Sequence, residues 1–316
     1  MRLPFLAALT CGALALGVAA CGGDDNSSGS SGGGGGDLSG AIAVDGSSTV
    51  FPFAQAAAEG FQAENSGVRV TVGESGTGGG FEKFCAGETD VSDASRPIDE
   101  KDEVPVCKKN GVEYTQIQIA NDGISVVTNP GLKIECLTVD QLKALWNKDS
   151  KVKDYSELGA GIPGGKVSLY GPGTDSGTFD FFTEAINGEK GDTRKDYQPS
   201  EDDNILVQGV EGDDTGLGYF GFSYFEDNQD KLNLVKVDGG DGCVAPSKET
   251  IQDGSYKPLS RPIFMYVSTK ALTSKPQVKG FIDYVVANAV DVAETAQIVP
   301  LTDAQLSKAK AAVPAA

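Results

Sequence analysis

The sequence contains no histidine among its 316 residues. A Ser-His-Asp triad and a Cys-His pair both need an imidazole as general base, so neither can be built from this chain. No Gly-x-Ser-x-Gly elbow joins a β-rich run to a helix-like segment either. The stretch 160–167 approaches a P-loop, but Ala160 replaces its first glycine and Val167 stands where a magnesium-binding Ser or Thr belongs. These absences favour a binding protein over an enzyme.

Basic residues are also scarce, with 26 Lys and Arg against 45 Asp and Glu and a net charge of −19. This charge excludes a nucleic-acid partner, because binding to a phosphate backbone needs a basic footprint. It also argues against anion binding, unless the anion is held by local dipoles and hydroxyl groups, which do not depend on net charge. We interpret the acidity as a solubility feature of an exported protein.

Cysteine is limited to six residues, of which Cys11 and Cys21 lie in the N-terminal segment. The other four are an even number, as is typical of an exported protein, and they permit two disulfides in three connectivities. These four are Cys85, Cys107, Cys136 and Cys243. A zinc site is the competing interpretation, but the chain has neither a CxxC spacing nor a histidine. The sequence therefore predicts no metal and no cofactor.

The N-terminal segment reads as an export signal. Residues 1–20 combine Arg2 with a short apolar run, and Val18-Ala19-Ala20-Cys21 matches a bacterial lipobox, in which Cys21 would carry the lipid anchor. An ordinary secretory signal that happens to contain a cysteine is the alternative. Residues 21–37, rich in glycine and serine, are predicted to be a flexible linker. Folding is expected to begin near Leu38, and the length of the chain suits two lobes.

Short β-rich runs alternate with helix-like segments along the rest of the chain. The pattern predicts strands at 41–44, 68–72, 117–127, 167–170 and 262–267, and helices at 51–64, 81–86, 137–146, 176–186, 278–289 and 302–312. The third strand is interrupted by Asn121-Asp122-Gly123, and Thr138 is a candidate cap for the helix at 137–146. Such alternation predicts an α/β chain with mainly parallel sheets, whose ligands bind at loops beyond the carboxyl ends of strands.

Three loops of this kind combine glycines with hydroxyl residues ahead of a predicted helix. They are the first loop, 45–52, the second loop, 73–80, and the third loop, 171–179. Free N–H groups and the helix dipole at such points favour an anion. Three similar loops in one chain suit a single tetrahedral oxyanion.

Each loop also has a simpler explanation when it is taken alone. The first and third could merely cap their helices, and the second could be a flexible turn. The second also resembles a dinucleotide fingerprint, but no acidic residue ends a well-defined next strand, so a cofactor is disfavoured.

Taken together, several phrases make the chain resemble the PstS family, the phosphate-binding lipoproteins of the Pst-type ABC importer. These phrases are Gly46-Ser47-Ser48-Thr49-Val50, Ser75-Gly76-Thr77-Gly78-Gly79-Gly80-Phe81, Ala94-Ser95-Arg96-Pro97-Ile98, Asp175-Ser176-Gly177-Thr178 and Gly216-Leu217-Gly218-Tyr219. They follow the order of the family, and the resemblance covers nearly all of the chain after the linker.

The resemblance implies a type II periplasmic-binding-protein fold, in which two α/β lobes are joined by two crossing strands and the ligand lies in the cleft. Lobe 1 would comprise 38–119 and 260–316, and lobe 2 would comprise 120–259. Under this division Cys85 and Cys107 share lobe 1, while Cys136 and Cys243 share lobe 2. We therefore expect these two pairs to form the disulfides.

The resemblance also implies a set of phosphate ligands. They are Ser48, Thr49 and Val50 in the first loop, Thr77 with its neighbour Ser75 in the second, and Ser176, Gly177 and Thr178 in the third. Some members of the family place an arginine two residues before the third loop's aspartate and an aspartate just before an alanine-proline phrase of lobe 1, and in this chain Pro172-Gly173 and Ser95 occupy those regions. Arg96 is therefore expected to supply charge-assisted bonds, with a structural salt bridge as its alternative role.

Selectivity requires one more group. Phosphate carries a proton near neutral pH and sulfate does not, so a carboxylate acceptor in a dry cleft would favour phosphate. Asp122 and Asp175 are the candidates for this acceptor, and either could instead be a hinge or cap residue.

The expected function is to capture inorganic phosphate outside the cytoplasm and to deliver it to the membrane permease of an ABC importer. The protein would be a monomer, held at the cell membrane by its lipid anchor. The alternatives are a binding protein for another oxyanion such as sulfate or molybdate, a metal-dependent surface phosphatase that uses Ser48 or Thr49, and a structural or adhesive lipoprotein.

Overall fold

The computed structural model describes residues 38–174 and 176–314. The predicted signal, lipobox, linker and lipid-anchor residue Cys21 lie outside the described residues, and so does Asp175. Among the described residues, no helix has both the length and the apolar character needed to cross a membrane.

Eleven strands build a continuous mixed sheet in the order β2-β1-β3-β11-β4-β8-β6-β7, with β9 also paired to β4 and with β5 and β10 paired to β9. The strands are β1 Ser39–Gly46, β2 Gly67–Gly73, β3 Val91–Ala94, β4 Tyr114–Thr128, β5 Cys136–Thr138, β6 Ser168–Pro172, β7 Gln198–Ser200, β8 Gly216–Gly221, β9 Asn233–Asp238, β10 Cys243–Val244 and β11 Ser260–Ser268. The prediction of mainly parallel sheets was wrong, because β4 and β11 run antiparallel to the strands beside them.

Helices cover the sheet and follow the strands along the chain. They are α1 Phe51–Glu64, α2 Gly76–Ala86, α3 Val104–Lys109, α4 Val139–Trp146, α5 Gly177–Phe182, α6 Asp203–Gly212, α7 Phe222–Glu226, α8 Lys248–Gln252, α9 Thr269–Ser274, α10 Pro276–Ala287, α11 Ala289–Thr295 and α12 Asp303–Ala312. A 3-10 helix spans Tyr155–Leu158 and a π-helix spans Thr183–Asn187. The α/β class is confirmed, and α4 begins at the predicted Thr138 cap, which forms a capping box with Gln141.

Two local predictions were wrong. Strand β4 runs without a break through Asn121-Asp122-Gly123, because the backbone there pairs with β11, with Asp122 opposite Arg261. Helix α2 begins at Gly76 and takes up most of the second loop. A side chain at Gly80 would come within 2.6 Å of the Cα of Gly46, so that glycine serves close packing of the helix on β1 and does not form a turn.

The core consists of two main clusters of buried side chains. One surrounds α1, β1 and α10 and includes Ile42, Phe53 and Phe281. The other surrounds α4, β6 and β8 and includes Trp146 and Tyr219. We call these parts of the molecule the first lobe and the second lobe.

Strand β4 belongs to both lobes. Ile119 packs into the first cluster and Ile124 packs into the second. The residues between them therefore lie where the chain crosses from one lobe to the other. The two predicted disulfides, Cys85–Cys107 and Cys136–Cys243, are confirmed.

Candidate anion-binding site

The first and third loops touch each other between the lobes. The hydroxyl of Thr49 donates to the carbonyl of Gly177 over 3.2 Å. A Cβ atom at residue 177 would lie 2.3 Å from the backbone nitrogen of Thr49, so only glycine permits this approach. Two cavities share Ser48 and Thr49 as lining residues, and we call them the small cavity and the large cavity.

The small cavity has a volume of about 230 Å³ and is lined by polar groups of the first lobe and by helix α5 with its following residues. Its hydroxyl residues are Ser47, Ser48, Thr49, Ser75, Thr77 and Ser95. Its charged residues are the cations Arg96, Lys190 and Arg261 and the acids Asp180 and Glu184. The structure thus brings together the predicted ligands Ser48, Thr49, Ser75 and Thr77 with Arg96, whereas the predicted ligand Val50 does not line this cavity.

Helix α2 begins at the small cavity without a side-chain cap, whereas the first residues of α1, Phe51 and Pro52, line the large cavity. Neither Val50, the N-cap of α1, nor Ser75, the N-cap of α2, accepts a hydrogen bond from its helix through its side chain. The N–H groups of Thr77 and Gly78 have no hydrogen-bond acceptor among the described residues. Such N–H groups, together with the helix dipole, are suited to bind an anion. Val50 itself is fully buried, and its N–H donates to the carbonyl of Ser47.

Arg261 is the cation most firmly placed in the small cavity. Its Nε lies 3.3 Å from the Oδ2 of Asp122, and the two side chains are only 15% and 12% exposed. Its Nη2 donates to the Oγ1 of Thr49 over 2.6 Å, and its guanidinium lies 3.6 Å from the ring centre of Phe181. Burial lowers the pKa of Arg261, and the charge of Asp122 opposes that shift.

The sequence-based prediction did not include Arg261. Only the phrase Ser260-Arg261-Pro262 could have indicated it, because it begins the second crossing strand. Pairing of that strand with Asn121-Asp122-Gly123 would have placed an arginine opposite Asp122.

Arg96 lines the same cavity, but its side-chain partner Glu103 lies outside it. Its guanidinium donates to both carboxylate oxygens of Glu103 over 2.9 and 2.8 Å, and its side chain is 43% exposed. It also lies 5.7 Å from the ring centre of Phe81. The hydrogen bonds to Glu103 raise the pKa of Arg96. Both roles considered for Arg96, as a cavity cation and as a salt-bridge partner, are therefore compatible with its position.

Asp180 is a second residue that the sequence-based prediction missed. Its Oδ2 accepts from the hydroxyl of Ser48 over 3.3 Å and from the Nζ of Lys190 over 2.5 Å. It lies two residues beyond Thr178, in the first turn of α5. Of the two predicted acceptors, Asp122 lines the large cavity and Asp175 is outside the described residues.

The third loop faces the large cavity, which is lined by Ser176, Gly177 and Thr178. The hydroxyl oxygen of Ser176 accepts from the N–H groups of Thr178 and Phe179, so the start of α5 is already capped. The structure therefore separates these three predicted ligands from those of the second loop.

The large cavity, of about 490 Å³, is acidic. Its charged lining consists of Glu74, Asp122, Glu201 and Asp203, and no Lys or Arg of the described chain lines it. Burial raises the pKa of Asp203 to about 6, and the charges of Asp202 and Glu201 add to the shift. An anion is disfavoured here by the same electrostatics that favour it in the small cavity.

Over residues 38–174 and 176–314 there is no group of three or more His, Cys, Asp or Glu side chains that could hold a metal ion. The polar groups of the small cavity can hold an ion through hydrogen bonds and charge.

Several known proteins are similar to this chain. A family model described as a PBP superfamily domain matches residues 29–289. Protein SphX of Synechococcus elongatus is 44% identical over 263 residues, which cover 82% of this chain and 77% of that protein. The phosphate-binding protein PstS of Staphylococcus saprophyticus is 39% identical over 264 residues, which cover 83% and 81%.

A solved structure is similar over its whole length. The crystal structure of a possible phosphate binding protein from Planctomyces limnophilus matches with a TM-score of 0.82 and 44% identity, covering 87% of this chain and 98% of that one. The predicted type II periplasmic-binding-protein fold is confirmed, with β4 and β11 as the crossing strands. The chain therefore belongs to the PBP superfamily and, within it, to the family of the PstS and SphX proteins.

Proposed function

We propose that this protein binds inorganic phosphate in the small cavity and delivers it to an ABC importer. The observation that carries the proposal is the convergence of Arg261, the uncapped N-terminus of α2 and a set of hydroxyl groups on one cavity. Members of this family are solute-binding proteins rather than enzymes, so no bond is made or broken.

The binding mode follows from the donors around the cavity. Arg261 offers a buried positive charge, and its stacking on Phe181 and its bond to Thr49 keep the guanidinium in place. The hydroxyl groups of Ser48 and Thr49, which donate to Asp180 and to the carbonyl of Gly177 in this structure, would turn toward the ion on binding, and Thr77 and the first N–H groups of α2 would supply further donors. Charge-assisted hydrogen bonds of this kind are about twice as strong as neutral ones.

We propose Asp180 as the group that distinguishes phosphate from sulfate. It replaces Asp122 and Asp175 in that role, because its carboxylate lines the small cavity and is partly screened from water. A carboxylate can accept the proton of a phosphate ion, whereas it repels a sulfate ion that has no proton to share.

The third loop has a different part in this proposal. Ser176, Gly177 and Thr178 hold the second lobe against the first loop through the contact of Gly177 with Thr49. The lobes would comprise 38–119 with 260–316 and 120–259, as the resemblance implies. Closure would then seal the ion from water, and the closed form would dock on the permease.

The cellular setting is proposed from the sequence. The chain acts outside the cytoplasm as a monomer, with a lipid on Cys21 as its anchor and residues 21–37 as its linker to the membrane. Mass spectrometry of the protein purified from membranes should show a chain that begins at Cys21 and carries the added mass of a lipid, and this species should be absent from a Cys21→Ser strain. A chain without this added mass would contradict the anchor.

Calorimetry on the purified protein tests the ligand. We expect phosphate to bind with an affinity at least about a hundredfold higher than that of sulfate, which is the order of discrimination given by one misplaced buried charge. Equal affinities would contradict the phosphate assignment, and tighter sulfate or molybdate binding would replace it with another oxyanion.

A further inference from the structure

The start of helix α2 departs from a rule that the rest of the molecule follows. Six helices of the described chain have a Ser or Thr as N-cap, and in five of them the hydroxyl oxygen accepts from an N–H group of the first turn. These five are Thr138, Ser176, Ser247, Ser268 and Thr302. Ser75, the N-cap of α2, forms no such bond.

Asp45, near the end of β1, is the reason for this exception. Its Oδ1 accepts from the hydroxyl of Ser75 and, over 3.2 Å, from the backbone N–H of Ser75. Its Oδ2 accepts from the Nζ of Lys83 over 2.6 Å. Lys83 lies in the last turn of α2, so one carboxylate is bonded to both ends of the helix.

The charge on Asp45 fixes the direction of its hydrogen bond with the hydroxyl of Ser75. Burial opposes ionisation, but the hydrogen bonds from Lys83 and Ser75 outweigh it and lower the pKa of Asp45. An ionised carboxylate can only accept, so the hydroxyl of Ser75 must donate to it. The hydroxyl hydrogen of Ser75 is then not available to a ligand.

The position of the Ser75 hydroxyl leaves the N–H groups of Thr77 and Gly78 without their usual acceptor. In a capped helix the N-cap hydroxyl accepts from the second or third residue of the first turn, which are these two. Because Asp45 holds the hydroxyl, both N–H groups remain without an acceptor in the described structure, next to the small cavity.

We propose that Asp45 is a positioning residue: it holds Ser75 away from helix α2 so that the N–H groups of Thr77 and Gly78 stay free to bind the anion. This inference rests on the proposed function for its ligand. The helix of the third loop is the internal contrast, because Ser176 has no carboxylate partner of this kind among the described residues and caps its own helix.

A double-mutant cycle tests the proposal. Asp45→Ala frees Ser75 to cap α2, so we expect phosphate affinity to fall about tenfold, the effect of one lost hydrogen bond to a charged group. The same substitution in a Ser75→Ala background should change affinity less than about twofold, because no hydroxyl is left to cap the helix. An equal loss in both backgrounds would overturn the proposal and leave Asp45 with a structural role only.

Two features keep this experiment interpretable. Asp45→Ala removes a charge beside Asp93, whose pKa is raised well above its usual range by burial and by the charge of Asp45, so folding is expected to tolerate the change. Lys83→Met is the matched control, because it breaks the ion pair but leaves the acceptor for Ser75. Its affinity should stay within about threefold of that of the original protein.

A second measurement does not depend on phosphate. Amide hydrogen exchange of Thr77 and Gly78 in the ligand-free protein should slow in Asp45→Ala and return to its original rate when Ser75→Ala is added. Unchanged exchange in Asp45→Ala would overturn the proposal. If the original protein failed to bind phosphate while these exchange rates behaved as expected, the proposed function would fall and the role of Asp45 would stand.

Discussion

The small and large cavities share Ser48 and Thr49 but differ in the charge of their other walls. Three cations and two acids line the small cavity, whereas four acids and no Lys or Arg of the described chain line the large one. The chain as a whole has a net charge of −19. Anion binding is therefore decided by which charges face a given space, and the overall charge describes only the outer surface.

Helices α5 and α2, which begin beside the large and the small cavity, differ in whether their first N–H groups are capped. Ser176 caps α5 beside the large cavity, while Ser75 leaves α2 uncapped beside the small one. Equal sequence patterns of glycine and hydroxyl residues thus give one helix start that can receive an ion and one that is already satisfied. The difference arises from Asp45, which is distant in sequence from Ser75.

Arg261→Met should have the largest effect on phosphate binding, because it removes the buried cation of the small cavity. We expect phosphate affinity to fall at least about a hundredfold, because the ion loses its charge-assisted hydrogen bonds to a buried guanidinium. We also expect stability to fall by about 3–5 kcal/mol, because Asp122 is left unpaired. Calorimetry and thermal unfolding measure the two effects.

Arg194→Met is the matched control for this change. Arg194 is 5% exposed and is paired with Asp196, and it lines neither cavity. Its replacement should lower stability but leave phosphate affinity unchanged. Affinity of Arg261→Met within about threefold of the original would refute the role of Arg261.

Asp180→Asn should change selectivity more than affinity. The amide no longer repels sulfate, so the ratio of phosphate to sulfate affinity should fall about tenfold or more. Glu184→Gln, at a second acid of the same cavity, is the control and should keep the ratio within about threefold. A ratio that is unchanged in Asp180→Asn and lost in Glu184→Gln would move the acceptor to Glu184.

Arg96→Ala should weaken phosphate binding about tenfold, less than Arg261→Met does. The guanidinium of Arg96 is 43% exposed and its charge is shared with Glu103, so water and that carboxylate screen its attraction for an ion. Isothermal titration calorimetry of both variants under the same salt conditions shows which of them loses more phosphate affinity. A larger loss for Arg96→Ala would make it the principal charged ligand.

Asp203→Asn, in the large cavity, should change how the stability of the protein depends on pH. The folded state raises the pKa of Asp203 from 3.8 to about 6, so it binds the proton more tightly than the unfolded state does. The original protein therefore loses stability as pH rises through this interval, by about 3 kcal/mol at most, and the variant does not. Thermal unfolding at pH 4 and pH 7.5 should show a gain for the variant only at the higher pH.

Phosphate affinity is the second readout for Asp203→Asn. It should not change, because this residue does not line the small cavity. A loss of affinity comparable to that of Arg96→Ala would show that the two cavities act as one site.

Local signals were predicted well from the sequence. The periodic run at 51–64 became α1 with the same bounds, and Thr138 capped α4. Both follow from interactions within a few residues, which a sequence displays directly. The disulfide pairs followed from the family resemblance.

Contacts between distant residues were not predicted. Arg261 is opposite Asp122 only because the crossing strands pair, and Asp180 meets Ser48 only because the lobes approach each other. The glycines before Phe81 were read as a loop, since their low helix propensity hides the packing of Gly80 on β1. Each of these errors concerns a tertiary contact that outweighs a local preference.

A crystal structure of the protein grown with phosphate tests the central claim most directly. We predict tetrahedral density in the small cavity, within hydrogen-bond distance of the Arg261 guanidinium, the Thr49 hydroxyl and the N–H groups of Thr77 and Gly78. Density in the large cavity, or an empty small cavity at saturating phosphate, would contradict it.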